Sequence, residues 1–259
     1  MKVVTALQLL GQSLFASAEV RDYARYRLAK EMARRIYPKY VFSEHGRIWL
    51  NDADFFRDYF SFMPANNGHS ADRKYLLKNL MRLVEGIPGD SAECGVFEGA
   101  SSFVMCQQIR GTRKRHHLFD SFAGLSAPKS IDGDHWNKSD LRSAESRVRQ
   151  RLAEFDFAVF HPGWIPSTFD EVSEVRFSFV HIDVDLHQPT IDSLSFFYPR
   201  MNSGGVIVCD DYGSAYCPGA KIACDDYMKG KPEKLVHCPT GQAFLIKDQG
   251  RLISGQDTK

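Results

Sequence analysis

From residue 90 onward the chain alternates between short runs rich in Val, Ile, Phe and Cys and longer stretches with apolar residues at three- and four-residue spacing. Short continuous apolar runs read as strands buried on both faces, and the wider spacing reads as helices with one buried stripe. The predicted order begins with a strand at SAECGVF, a helix from Ala100 to Ile109, a strand at RHHLFD and a helix from Asp140 to Phe155. Strands at FAVFHPG and VRFSFVHIDVD follow, then a helix from Thr190 to Tyr198, a strand at GGVIVCDDYG and a helix from Cys217 to Lys229. Two last runs, KLVHCP and QAFLIKD, are joined by Pro239, Thr240 and Gly241, which predicts a hairpin and an antiparallel last strand. Strands alternating with helices predict an α/β fold, a mostly parallel sheet covered by helices on both faces.

The first part of the chain has a different pattern. Residues 1–40 read as one or two helices. MKVVTALQLLGQSLFASAEV has the Lys, apolar stretch and Ala-Ser-Ala ending of a secretory leader, but Gln8, Gly11, Gln12 and Ser13 interrupt the apolar stretch. It runs on into RDYARYRLAKEMARRIYPKY, which has helical periodicity and a basic face, so the expectation is an amphipathic helix that offers a surface for a homodimer. Residues 41–72 look irregular and aromatic-rich; Phe55, Phe56, Tyr59, Phe60 and Phe62 are expected to pack on the main domain or form part of a lid. Residues 72–85 have helical spacing, and Gly86 to Gly89 end that helix. The expected division is an N-terminal helical extension over 1–72 and the main domain over 73–259.

Composition narrows the class. In 259 residues, 43% are hydrophobic and 25% charged, and the formal net charge is +1, so nothing points to a nucleic acid or another polyanion. The cluster Arg110, Arg113, Lys114 and Arg115 reads as a solvated loop. The six cysteines include no CxxC pair, which argues against zinc; Cys94 and Cys209 fall inside buried strands. A reduced, cytoplasmic setting is expected. No run reaches the ~20 apolar residues of a membrane span.

The chemistry gathers at the ends of two strands. FSFVHIDVDLH ends in Asp183 and Asp185, and GGVIVCDDYG ends in Asp210 and Asp211. Ligands of open α/β sheets collect where parallel strands end. Carboxylates crowded at one rim repel unless a cation or a shared proton relieves them. ECGVFEG, Glu93 to Gly99, follows the first strand with G-x-x-x-G spacing, a turn where backbone can approach a ligand. Asp120 ends the second strand, where a carboxylate can accept hydrogen bonds from ribose hydroxyls, or else cap the next element. His181 shares a strand face with Asp183 and Asp185 and is read as a packed residue hydrogen-bonded to backbone. His187 lies past the strand as a candidate acceptor contact or base. His116 and His117 start a strand at the opposite rim and read as structural, and Tyr212 follows the Asp pair as a border of an acceptor pocket.

Taken in order, ECGVFEGASS, FDSFAGL, FHPGWIPSTF, FVHIDVDLHQPT, YPRMNSGGVIVCDDYG and PGAKIACDDYM resemble the macrocin O-methyltransferase family over roughly residues 75 to 247. The resemblance implies a Rossmann-like class I methyltransferase sheet, S-adenosylmethionine as methyl donor, magnesium or another divalent cation, and a small-molecule or glycan hydroxyl as acceptor. It implies that Glu93, Gly95 and Val96 line the methionine end of the donor. Asp120 would hold the ribose, beside Ser121 and Phe122. Gly163 and Trp164 would lie near the adenine. It also implies Asp183, Asp210 and Asp211 as metal ligands and Asp185 as the base. The chain departs from the family's HIDGDLY by carrying Val184 and His187. Two other readings use the same acids: a metal-dependent hydrolase, and a non-catalytic interaction protein that keeps the fold.

Overall fold

The computed structural model describes residues 3–37, 49–62 and 71–247. The chain divides into two compact units, Met1–Ser61 and Phe62–Lys259.

In the first unit, α1 (Val3–Phe15) and α2 (Ala18–Ile36) pack on each other. No described helix is long and apolar enough to cross a membrane. The aromatic stretch, expected to be irregular, is in part a third helix, α3 (Ala53–Phe62). Asp52 starts it by accepting the Phe55 N–H at 2.9 Å. Its rings then meet at helical spacing, Phe56 against Phe60 at 5.6 Å and Phe55 against Tyr59 at 5.7 Å. The Asp52 cap and that spacing were the signals for a helix. The rest of the stretch, residues 41–48 and 63–70, lies outside the described residues.

The second unit starts with α4 (Ala71–Arg82) and then alternates: β1 (Asp90–Cys94), α5 (Ala100–Ile109), β2 (His116–Asp120), α6 (Glu145–Arg151), β3 (Ala158–Pro162) and β4 (Phe177–Ile182). It continues through α7 (His187–Phe197), β5 (Met201–Cys209), α8 (Pro218–Met228), β6 (Val236–His237) and β7 (Ala243–Ile246). The seven strands form one sheet in the order β3-β2-β1-β4-β5-β7-β6. The pairs from β3 to β5 are parallel, and β7 runs antiparallel to β5 and β6. This is the expected sheet, with the expected hairpin at its edge. Because β1 lies between β2 and β4, the winding reverses there, and a crevice opens past the strand ends.

A register shift between Phe177 and Phe179 lets both rings be buried on opposite faces of β4. Phe177 joins Phe119, Phe197 and Ile207 on one face, and Phe179 joins Leu77, Met105 and Val208 on the other. The face under α4 and α5 is therefore the one on which β4 and β5 carry Phe179 and Val208, and its next polar positions are His181 and Asp210.

Two expectations are corrected. The helix from Asp140 to Phe155 is only Glu145–Arg151. Residues upstream pair with the loop after β2 instead: the Ser139 N–H donates to the Leu125 carbonyl at 2.9 Å, and the Leu125 N–H to the Asp140 carbonyl at 2.8 Å. Ser139 and Leu141 adopt positive φ to do so. His181 is bonded to two carboxylates rather than to backbone, as described below. His116 and His117 do start β2 at the far rim, where the buried His117 ring contacts Asp90 Oδ2 at 3.1 Å and His161 Nε2 at 3.0 Å.

Candidate active site

A cavity of about 670 Å³ opens at the C-terminal ends of the parallel strands. Its lining includes Gly95, Val96, Asp120, Ser121, Gly163, Trp164, Asp183, Asp185 and Asp211 from the expected site. Glu93, Phe122, His187 and Asp210 are not among the lining residues.

Part of the cavity wall is built by the loop from β1 to α5. Gly95 has φ +84°, and a Cβ there would lie 1.7 Å from the Asp183 carbonyl oxygen. The two strand ends can approach this closely only because residue 95 has no side chain. Asp120 then holds the loop: its Oδ2 accepts the Val96 and Phe97 N–H groups at 2.7 and 2.8 Å, and its Oδ1 accepts the Phe122 N–H at 2.7 Å. Phe97 and Phe122 sit at φ 49° and 52°, backbone that costs energy and is kept by these bonds. Replacing Gly95 with Ala is expected to cost about 1–3 kcal/mol from backbone strain, and more from the overlap with Asp183. Urea unfolding of Gly95→Ala checks this, and an unchanged midpoint would contradict the packing described.

Asp183, Asp185, Asp210 and Asp211 lie past the ends of β4 and β5, but they do not form one undivided cluster. The ligating atoms of His181, Asp183 and Asp210 lie within 4.8 Å of one another, and so do those of Asp185, Asp211 and Cys217. Asp210 faces inward. Its Oδ1 accepts from His181 Nε2 at 3.0 Å and Gln242 Nε2 at 2.6 Å, and its Oδ2 accepts from Arg73 Nη2. Despite burial, the His181 hydrogen bond and the charges of His181 and Arg73 hold its carboxyl far below the usual range. His181 reaches the other way to Glu93, Nδ1 to Oε1 at 3.0 Å, and Ser102 Oγ donates to Glu93 Oε2. Burial opposes the charge on His181, yet the bonds to Asp210 and Glu93 raise it to about 9. Burial alone would raise Glu93, but His116, 3.9 Å away, and the hydrogen-bonded His181 hold it down at about 2. Glu93, His181 and Asp210 thus form a compensated chain of charges beneath the cavity floor.

The other acids are less well compensated: Arg73 Nη2 stands 3.8 Å from Asp211 Oδ1 but is bonded to Asp210. Asp185 stands at φ 59°, and its N–H donates to Asp211 Oδ2 at 3.0 Å. Burial, and then the charge of Asp183, push its carboxyl up to about 7. Burial and the carboxylates of Asp185, Asp183 and Asp210 push Asp211 well above the ordinary carboxylate range. The Cys217 thiol points at Asp185 Oδ1 at 3.5 Å and receives the Trp136 Nε1–H at 3.4 Å. His187 begins α7, and its N–H donates to Asp132 Oδ1 at 2.7 Å.

The sequence reading missed Arg73, Lys74, Trp136 and Cys217, all of which line the cavity. Lys74 was legible in part. It lies on the same helical stripe as Leu77, Leu80 and Met81, the buried face of α4, so its position predicted burial. Arg73 carried no such signal, because its partner Asp210 is 137 residues away in sequence.

Residues 57–237 match the family described as Macrocin-O-methyltransferase (TylF). Demethyldecarbamoylnovobiocin O-methyltransferase of Streptomyces niveus is 30% identical over 183 residues, 63% of this chain and 69% of that protein. The 8-demethyl-8-(2,3-dimethoxy-alpha-L-rhamnosyl)-tetracenomycin-C 4'-O-methyltransferase of Streptomyces olivaceus is 30% identical over 152 residues, 53% of this chain and 58% of that protein, so the chain spans under two thirds of this relative. The solved structure of the O-methyltransferase NovP superposes with a TM-score of 0.60 at 22% identity, over 86% of this chain and 100% of that one, a likeness of fold.

Proposed function

The chain belongs to the macrocin O-methyltransferase family of S-adenosylmethionine-dependent enzymes, and we propose that it methylates a hydroxyl of a sugar or another natural-product acceptor with the help of a divalent cation such as magnesium. The observation that carries this reading is a single cavity lined both by the Gly95 loop and Asp120 and by Asp183, Asp185 and Asp211. Curated relatives named as O-methyltransferases of demethyldecarbamoylnovobiocin and of a rhamnosyl tetracenomycin support the acceptor class.

The donor set suits a hard cation. Asp183 and Asp211 offer oxygen beside Asp185, and burial and crowding leave Asp185 and Asp211 with raised proton affinity, so a cation there relieves repulsion. Asp210 fits less directly, since both of its oxygens already accept hydrogen bonds, and we assign it to holding the rim together through His181 and Arg73. When bound, a divalent cation supplies a Lewis acid that lowers the pKa of an acceptor hydroxyl. The donor brings a methyl group activated by its sulfonium. Asp185 takes the acceptor's proton on its carboxylate, whereas His187, outside the cavity lining, is not placed for that task. The Gly95 and Val96 backbone borders the methionine end of the donor, Asp120 and Ser121 the ribose, and Gly163 and Trp164 the adenine, while Phe122 fixes Asp120 from its N–H. Glu93 acts from beneath the loop rather than by touching the donor.

Titration calorimetry tests the reading. S-adenosylmethionine is expected to bind the wild-type chain, and magnesium or manganese to bind at the acid rim. Asp211→Asn is expected to weaken the cation about tenfold or more, a loss of about 1.4 kcal/mol, without removing donor binding. No donor binding at roughly millimolar concentration would refute methyl transfer. Cation binding unaffected by Asp211→Asn would refute the metal site.

A further inference from the structure

The donor site leaves one charged side chain without a task. Lys74, in the first turn of α4, is 1% exposed. Its Nζ donates to Ser101 Oγ, and among the described residues no carboxylate lies within ion-pair distance of it. Its charge helps to hold the Asp210 carboxyl down from a distance, but it makes no bond there. An ammonium group has three donors, and burying it with one hydroxyl partner is costly unless an anion completes the site. The neighbouring Arg73 is different, since its Nη2 is bonded to Asp210.

Lys74 and Ser101 line the cavity beside Gly95, Val96 and Phe97. Ser101 is the second residue of α5, a ten-residue helix whose N-terminal N–H groups favour negative charge. Positive charge from Lys74 and the α5 N-terminus therefore faces this stretch of the cavity wall, with the acid rim beside it. An anionic acceptor would sit poorly here, because its reacting oxygen belongs beside Asp185 and Asp211. The donor carries both a sulfonium and an α-carboxylate, and its carboxylate matches this stretch.

We propose that Lys74, held by Ser101, receives the α-carboxylate of S-adenosylmethionine and is the positioning residue for the methionyl end. The inference rests on the proposed use of that donor. Lys74 and the α5 N-terminus fix the carboxylate, which sets where the methyl group points relative to the acid rim.

The test compares S-adenosylmethionine with its decarboxylated analogue, which keeps adenosine, sulfonium and amine. Calorimetry on the full chain is expected to show wild type preferring the intact donor by about ten- to a hundredfold, the worth of a hydrogen-bonded charge pair. Lys74→Met is expected to remove most of that preference by weakening the intact donor alone, and Lys74→Arg to restore part of it. If Lys74→Met weakens both ligands equally, Lys74 only supports the fold, and the proposal is wrong. An undiminished preference in Lys74→Met also overturns it. If wild type binds the analogue but shows no preference, the carboxylate subsite falls while the donor reading stands. If wild type binds neither ligand, the donor reading itself fails.

Discussion

Replacing Asp185 with Asn is expected to lower kcat by about 10²- to 10⁴-fold, the usual worth of a positioned general base. The substitution keeps the size of the side chain, and Asn tolerates the left-handed backbone at φ 59°, so the loop geometry should survive. Donor binding should therefore persist while proton transfer is lost. The carboxyl lies near 7 because it is buried and faces Asp183, which makes it basic enough to accept a proton at neutral pH. In metal-poor protein the rate is expected to rise with pH through about 7 and then level off. A bound cation should move that limb to lower pH, since it favours the ionised carboxyl. Asp185→Asn should abolish the limb. A variant that keeps wild-type kcat would transfer the role of base to another group.

The same carboxyl makes a stability prediction. Its folded-state affinity for protons is above the ordinary Asp value, so its contribution is full at low pH and is lost as pH rises toward about 7. Asp211 has the same sign. Magnesium should therefore raise the melting temperature more at pH 8 than at pH 5, a contrast readable by thermal denaturation with and without the ion.

Removing His181 is expected to have the largest effect on stability. His181→Ala leaves Glu93 and Asp210 facing one another across a void, both buried, with no cation between them. Breaking a buried ion pair in this way typically costs about 3–5 kcal/mol, beyond any cavity term. The pH dependence of the wild type follows from the same chain. His181 titrates at about 9 when folded, above its ordinary value, so its contribution is present below about 6.5 and is lost as pH rises to about 9. Glu93 is held at about 2, so its contribution is present above about 4.5 and is lost as pH falls toward 2. Urea midpoints of wild type and His181→Ala at pH 7 test the point. A loss below about 1 kcal/mol would show that the carboxylates are solvated or protonated rather than paired with His181.

Much of this architecture was written in local patterns. Buried parallel strands have to be apolar along their whole length, so SAECGVF, VRFSFVHIDVD and GGVIVCDDYG were visible as strands, and their acids were visible as strand ends. Gly95 was visible as a turn, and the closing hairpin as a pair of short runs around Pro239 and Gly241. Where a segment's conformation depends on a distant partner, the local pattern misled. Residues 140–144 have helical composition, yet Asp140 is held by Leu125. The aromatic run over 53–62 looked irregular because its rings obscured a helical spacing that begins at the Asp52 cap.

The division runs the same way through the site. Sequence alone determined that four aspartates would meet at one rim beside a glycine loop, because strand order and strand polarity put them there. It did not determine what each carboxylate touches. That Asp210 is spent on His181, Gln242 and Arg73 while Asp185 and Asp211 face the cavity was decided by packing across α4, β1, β4, β5 and the approach to β7. Lys74 had a legible position on the buried stripe of α4, but only the docking of that helix against α5 brought its ammonium to Ser101 and the cavity. Periodicity is a property of neighbours in the chain, whereas the pairing of a buried charge depends on whatever the fold brings within hydrogen-bond reach, here across 137 residues for Arg73 and Asp210.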